Sequence, residues 1–148
     1  MNLLPYNEMD AGWTRRDAAH LLWRAQGGAS EAEIVRAAGD GLEKTLDRLL
    51  GPVTEDPPFT ETAALLRQTA EDADDIQPLK TWWLYRMTAG PSPLTGKMCL
   101  FWHNLFATSH IKVRSAKHMG AQNDLIRTHA LGDFKALLAG MARDVAML

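Results

Sequence analysis

The residues best suited to chemistry lie in the second half of the chain, within and after one aromatic run. His103 and Asn104 stand in the middle of this run, KMCLFWHNLFATSHIKVR, which covers residues 97–114. A polar pair on an aromatic helix costs several kcal/mol of desolvation unless it is hydrogen-bonded, so another group must satisfy it. Further polar residues follow later in the chain. We predict a candidate polar site made of His103, Asn104, Gln122, Arg127 and His129.

The spacing of the histidines does not match a helical metal site. His103 and His110 are seven residues apart, whereas helical zinc sites place two histidines on adjacent turns. The sequence also lacks a serine nucleophile elbow and a glycine-rich phosphate loop. We therefore predict no metal and no cofactor, and we expect a structural hydrogen bond between His103 and a backbone carbonyl or a neighbouring helix.

A basic cluster follows the aromatic run, and its members Lys112, Arg114 and Lys117 flank Ser115. If Ser115 begins a helix, the first amides of that helix can bind a phosphate, sulfate or carboxylate beside Arg114. The alternative is a solvated surface or a contact with acidic residues elsewhere in the chain. The aromatic residues Trp102 and Phe106 fall on an apolar stripe with Leu94, Met98 and Phe101, which predicts a core position and argues against stacking on nucleic-acid bases.

Charge is distributed unevenly along the chain. Residues 1–78 contain 15 acidic and 7 basic side chains, and residues 79–148 contain 3 acidic and 9 basic ones. The formal net charge of −2 gives no general signal for nucleic-acid or membrane binding. We predict an acidic half and a basic half that attract and pack on each other.

Helix signals recur throughout the chain and predict an all-α fold, an irregular array of about six to eight short helices. Thr14 precedes the first predicted helix and Gly27 ends it. Ser30 and Glu33 form a capping box, and Pro93 follows Ser92 at the best helical position for proline. Only residues 111–114 alternate like a strand, and 52–58 has the composition of a loop. The predicted helices cover Arg15–Gln26, 31–38, 41–50, 60–70, 77–89, 93–107, 115–130 and 133–141.

The length of 148 residues, with 46% hydrophobic residues, fits a single helical domain or the N-terminal portion of a longer one. The single cysteine, Cys99, excludes an internal disulfide and is predicted to be a core residue. No apolar stretch approaches the roughly 18 residues of a membrane span, and residues 1–10 do not resemble a signal peptide. As written, the sequence predicts a cytoplasmic protein.

The last six residues, RDVAML, carry little polar character. A final helix that ends this way is typical of a chain that continues into a packing partner. We therefore expect a fragment of a larger helical protein, or self-association through an exposed C-terminal apolar face.

Several segments together resemble a known family. The segments 18–25 (AAHLLWRA), 41–50, 82–87 (WWLYRM), 94–113 and 122–148 are similar to the N-terminal part of an uncharacterised bacterial family, catalogued as domain of unknown function 1800. The most specific piece is 97–113 (KMCLFWHNLFATSHIKV). Its members commonly have W-H-N-H where this chain has Leu105 in the last place, and they continue for several hundred residues more. The resemblance implies export and a sulfatase-like partner protein, and it implies no established activity.

Three functions are compatible with these residues. Our leading prediction is a helical module, non-catalytic by itself, that serves assembly or ligand binding as the N-terminal part of a larger protein. The alternative is a hydrolase-like or metal-assisted enzyme that uses His103, Asn104 and Arg127 and is completed by a C-terminal region or a partner. A weaker alternative is anion or nucleic-acid binding through residues 112–127.

Overall fold

The computed structural model describes residues 12–148, and this part of the chain is helical without strands. The predicted all-α fold is confirmed. The described residues form nine helices, eight of them seven residues or longer. In chain order they are α1 (Arg15–Gln26), α2 (Glu31–Asp40), α3 (Leu42–Leu50), α4 (Pro57–Ala73), α5 (Ile76–Thr88), α6 (Pro93–Leu105), α7 (His110–Val113), α8 (Ala116–His129) and α9 (Phe134–Met141).

The helices fall into two compact units that divide after Pro52. The first unit contains α1 to α3, and the second contains α4 to α9. The predicted boundary between an acidic and a basic half lies after residue 78, inside α5 and therefore within the second unit. Charge composition and compactness thus divide the chain at different places, and the single-domain organisation stays a prediction.

Local hydrogen bonds define the helices of the first unit. The Thr14 hydroxyl accepts from the Asp17 amide, and the Ser30 hydroxyl accepts from the Glu33 amide in the predicted capping box. α1 ends at Gly27, which adopts a φ of 81° that favours glycine. The core of this unit consists of the buried residues Ala18, Leu22, Ile34 and Ala37.

In the second unit, α8 is the central helix, because it contacts α4, α5, α6, α7 and α9. Two buried clusters meet at it. One joins α4, α5 and the start of α8 through Ala63, Ala70, Leu79, Trp82 and Ala116. The other joins α6, α8 and α9 through Cys99, Ile126, Ala130, Leu137 and Met141. Cys99 is fully buried, so its predicted core position is confirmed.

Two predicted boundaries around α4 are wrong. The helix begins at Pro57 with Asp56 as its N-cap, although the prolines predicted a loop up to residue 58 and a start at Thr60. Proline is compatible with the first turn of a helix, since the amide it lacks has no intrahelical partner there. The helix also continues to Ala73, beyond its predicted end at residue 70.

The segment after the aromatic run also differs from prediction. Residues 111–114 show strand-like alternation, but the structure forms the short helix α7 there. Phe101 was expected on the buried stripe and is exposed instead. Trp102 is partly buried as expected, and its indole N–H donates to the Ala130 carbonyl at 2.9 Å. The apolar residues of α6 do not form one uniformly buried stripe, because α8 and α9 cover only part of the helix surface.

A hydrogen bond between helices fixes the start of α8. The Asp74 carboxylate, at the end of α4, accepts from the Ala116 amide at 2.7 Å. Asp74 has a φ of 47°, in the left-handed region. We expect Asp74→Ala to lower the free energy of unfolding by about 1–2 kcal/mol, because it removes a helix cap and places alanine in a strained conformation. Urea unfolding measures this loss. Asp74→Asn keeps an acceptor, so an equal loss in that variant would contradict the explanation.

Candidate functional site

The second unit contains a half-open cavity of about 500 Å³, within the usual range for small-molecule sites. Its walls come from α5, the end of α6, the segment 107–109, α7 and α8. Most of the wall is apolar, and the polar groups are few. The lining residues are Ile76, Leu79, Lys80, Trp82, Trp83, His103, Ala107, Thr108, Ser109, His110, Ile111, Met119 and Asn123.

Three polar atoms on these lining residues are buried and have no hydrogen-bond partner. They are Nε1 of Trp83, Nδ1 of His110 and Oδ1 of Asn123. An unpaired buried polar group costs about 1–3 kcal/mol, and such groups are rare in folded proteins. Asn123 is the most enclosed of these residues, with only 3% of its surface exposed. The unpaired atoms therefore mark this cavity as the candidate functional site.

His103 connects two of these residues. Its Nε2 lies 3.0 Å from Nδ2 of Asn123, so the expected hydrogen bond to a neighbouring helix is present. Donation from the Asn123 amide to Nε2 corresponds to the tautomer of His103 that has its ring proton on Nδ1. The ring also packs against Trp83, with 4.6 Å between ring centroids. Burial lowers the pKa of His103, and the positive charge of Arg127 lowers it further, so the neutral ring is favoured.

This lowered pKa predicts a pH dependence of stability. The unfolded chain binds a proton near the ordinary histidine pKa of about 6.5, whereas the folded chain binds it only at lower pH. The contribution of neutral His103 is therefore complete above about pH 6.5 and is lost as the pH falls, by at most about 1.4 kcal/mol per pH unit. We expect a flatter dependence in His103→Gln, measured by urea unfolding between about pH 7 and 5. Parallel curves for the two proteins would contradict this prediction.

The residues predicted for the polar site separate in the structure. Only His103 lines the cavity, whereas Asn104 is exposed on α6 and His129 is partly buried near the end of α8. Gln122 is fully buried, and both ends of its side-chain amide are hydrogen-bonded within the protein. Its Oε1 accepts from the Thr108 hydroxyl at 2.5 Å, and its Nε2 donates to the Asp144 carboxylate at 2.8 Å.

Sequence reasoning missed three residues of this site. Asn123 follows Gln122 and belongs to the same polar group of α8, but the sequence gives no reason to prefer it. Trp83 lies in the predicted helix 77–89, and its unpaired N–H depends on the three-dimensional packing. His110 was separated from His103 by the end of the predicted helix, yet the turn at 106–109 brings both to one cavity.

The sequence model of one family, described as "Protein of unknown function (DUF1800)", matches residues 20–148. The chain belongs to this family. No curated protein and no solved structure matches the chain significantly. The whole cavity falls within the part of the chain that matches DUF1800.

Arg127, the remaining predicted site residue of this DUF1800 chain, does not line the cavity. Its Nε and Nη2 atoms are buried and have no hydrogen-bond partner among the described residues. Burial lowers the pKa of this guanidinium, and nearby Arg86 lowers it further. Arg86 itself pairs with Glu55 at 2.6 Å, and Arg67 pairs with Glu71. Arg127 is thus a desolvated cation near the partnered Arg86, and the negative charges of Glu55 and Asp124 offset the lowering of its pKa only in part.

The basic residues proposed for anion binding are all exposed in the DUF1800 fold. Ser115 caps α8 by accepting from the His118 amide at 3.3 Å, and the Ala116 amide donates to Asp74. Protein oxygens therefore already occupy two of the amides that an anion would need. Lys112 lines a second cavity, of about 590 Å³, together with His118, whereas Arg114 and Lys117 do not. Anion binding by this cluster stays a prediction.

Metal and membrane signals were sought in the same part of the DUF1800 chain. Within residues 12–148, no three side chains of the histidine, cysteine, aspartate and glutamate types come together in a way that would hold a metal ion. None of the helices described combines the length and apolar character needed to cross a membrane. The pKa of the Cys99 thiol is raised by burial, as in a core cysteine.

Proposed function

We propose that the second unit binds a small, predominantly apolar ligand in the cavity beside His103. The protein is then a helical module that binds a ligand and has no catalytic role of its own. The observation that carries the proposal is the presence of three unpaired polar atoms, on Trp83, His110 and Asn123, in the residues of an otherwise apolar wall. These atoms have almost no accessible surface, so a ligand with a polar end would reach them after a side-chain rotation and would then recover part of their desolvation cost.

The shape and composition of the cavity support this proposal. Leu79, Trp82 and Met119 offer an apolar surface to the body of a ligand, and the volume of about 500 Å³ accommodates a two-ring compound. The His103–Asn123 hydrogen bond and the Trp83 ring contact hold the polar side of the wall in a defined geometry. A preformed wall lowers the entropic cost of binding.

The enzymatic alternative has weaker geometric support. It required His103, Asn104 and Arg127 to act together, but only His103 lines the cavity. The Nε2 atom of His103 is also engaged by Asn123, so a substrate would compete with this hydrogen bond. Catalysis, assembly and a sulfatase-like partner remain predictions from the sequence and the family resemblance.

A panel of three naphthalene compounds tests the proposal: 2-naphthoate, 2-naphthamide and (2-naphthyl)methylammonium. We expect at least one to bind with a dissociation constant of about 1 mM or lower, based on about −0.3 kcal/mol per heavy atom. Binding should shift the indole N–H resonance of Trp83 in a proton–nitrogen NMR spectrum, which Trp83→Phe identifies by its disappearance.

A pair of alanine variants provides the matched control. Ala107→Phe places a ring in the cavity wall and should abolish binding, whereas Ala64→Phe adds the same ring to an exposed position of α4 and should not. The absence of a saturable shift at Trp83 with all three compounds would contradict the proposed function. Equal binding by the two variants would also contradict it, because the compounds would then bind outside the cavity.

A further inference from the structure

Among the described residues, the cavity wall contains a positively charged side chain and no negatively charged one. Lys80 is the only lysine, arginine, aspartate or glutamate among the described residues that line it. Lys80 is exposed and forms no ion pair with any other described residue. An amphipathic ligand would therefore meet an unpartnered positive charge at the wall and no negative one.

A second donor lies on the same helix face. Trp83 follows Lys80 by three residues on α5, so the two side chains lie on neighbouring positions of that face. The indole N–H of Trp83 is a donor only, and it is one of the unpaired buried atoms. The ammonium group of Lys80 is likewise a donor only. Lys80 is exposed to water, whereas the indole nitrogen of Trp83 has almost no accessible surface, so one carboxylate accepts from both donors only after the Trp83 ring rotates toward the cavity.

We propose that the ligand of this cavity is an amphipathic carboxylate, whose apolar body fills the cavity and whose carboxylate group is bound by Lys80 and the indole N–H of Trp83. This inference rests on the proposed function and specifies its ligand class. The apolar body contacts Leu79, Trp82 and Met119. The neutral ring of His103 adds no competing positive charge to the wall.

Isothermal titration calorimetry with the same three compounds tests the ligand class. They share one ring system and differ in the charge and hydrogen-bonding character of the head group. We expect 2-naphthoate to bind about tenfold more tightly than neutral 2-naphthamide, and the ammonium compound to bind most weakly, since a hydrogen bond to a charged group contributes about 1.5–3 kcal/mol. Added salt should reduce the preference for 2-naphthoate, because the lysine is exposed.

Variants of Lys80 and Trp83 test whether these two donors cause the preference for 2-naphthoate. Lys80→Met should weaken 2-naphthoate binding about threefold to fivefold, as expected for an exposed charge pair, and should weaken 2-naphthamide binding less, because a neutral amide forms no ion pair with the lysine. Trp83→Phe should weaken 2-naphthoate binding about tenfold, because it removes the indole donor. Lys135→Met removes an exposed lysine of α9 outside the cavity and should change neither affinity.

The outcomes separate the two proposals. Equal affinity for all three compounds in the cavity would overturn the carboxylate assignment and leave the proposed function standing. A preference for 2-naphthoate that survives both Lys80→Met and Trp83→Phe would also overturn the assignment, because the carboxylate would then bind elsewhere. Failure of all three compounds to bind would overturn the proposed function and this inference together.

Discussion

Replacing Leu137 with alanine is expected to lower the free energy of unfolding by about 3–4 kcal/mol. Leu137 is completely buried and packs with Cys99, Ile126 and Met141 in the cluster that joins α6, α8 and α9. Its removal costs the transfer free energy of the side chain and leaves a cavity that the surrounding helices fill only partly. Chemical unfolding of the purified protein measures the change directly.

The adjacent leucine is the matched control for this prediction. Leu138 has 47% of its surface exposed, so Leu138→Ala should change the free energy of unfolding by less than about 1 kcal/mol. The two variants make the same chemical change one residue apart, so helix propensity cancels in the comparison. Similar losses in both would show that α9 packs with a different face than the structure describes.

The contrast between these leucines shows what the apolar pattern of α9 does and does not determine. Phe134, Leu137, Leu138 and Met141 recur at helical spacing and correctly predict the helix. The structure buries Leu137 and Met141 and leaves about half of Phe134 and Leu138 exposed. Periodicity identifies an amphipathic helix, but the depth of each residue depends on which neighbouring helices cover it. The same reason explains the exposure of Phe101 on α6.

Local chemistry was the most predictive part of the sequence. The caps at Thr14 and Ser30 and the stop at Gly27 follow from contacts within a few residues, and the structure contains all three. The start of α4 was predicted incorrectly because prolines fit both a loop and a first helical turn. The choice depends on Asp56, which caps the helix by accepting from the Phe59 amide at 2.9 Å.

The candidate site was less predictable, because it depends on contacts between distant residues. His103 could be singled out as a polar residue in an aromatic run, and its hydrogen bond to a neighbouring helix could be anticipated. Its partner Asn123 is 20 residues away and is selected only by the crossing of α6 and α8. The unpaired atoms of Trp83 and His110 likewise follow from packing that one sequence does not specify.

Two arginines on neighbouring helices, Arg86 and Arg127, are expected to differ in their contribution to the free energy of unfolding. Arg86 pairs with Glu55 at 2.6 Å, and its guanidinium lies over the rings of Phe59 and Trp82 at 5.4 and 5.8 Å. The side chain is only 16% exposed, so these contacts are largely shielded from water. Its removal leaves the Glu55 carboxylate, which is about one-third exposed, without its partner.

Arg86→Met is therefore expected to lower the free energy of unfolding by about 3 kcal/mol, whereas Arg127→Met should leave it unchanged or raise it. Arg127 has two buried nitrogen atoms without hydrogen-bond partners, so methionine removes a desolvated charge while keeping most of the apolar stem. Urea unfolding of both variants measures the difference.

A double variant distinguishes loss of the ion pair from loss of packing in this prediction. Adding Glu55→Gln to Arg86→Met removes the stranded carboxylate and should recover part of the lost free energy of unfolding. No recovery would assign the loss to the ring contacts with Phe59 and Trp82. If Arg127→Met destabilised the protein as strongly as Arg86→Met, the guanidinium of Arg127 would have a stabilising partner in solution, and its description as an unpaired buried cation would be wrong.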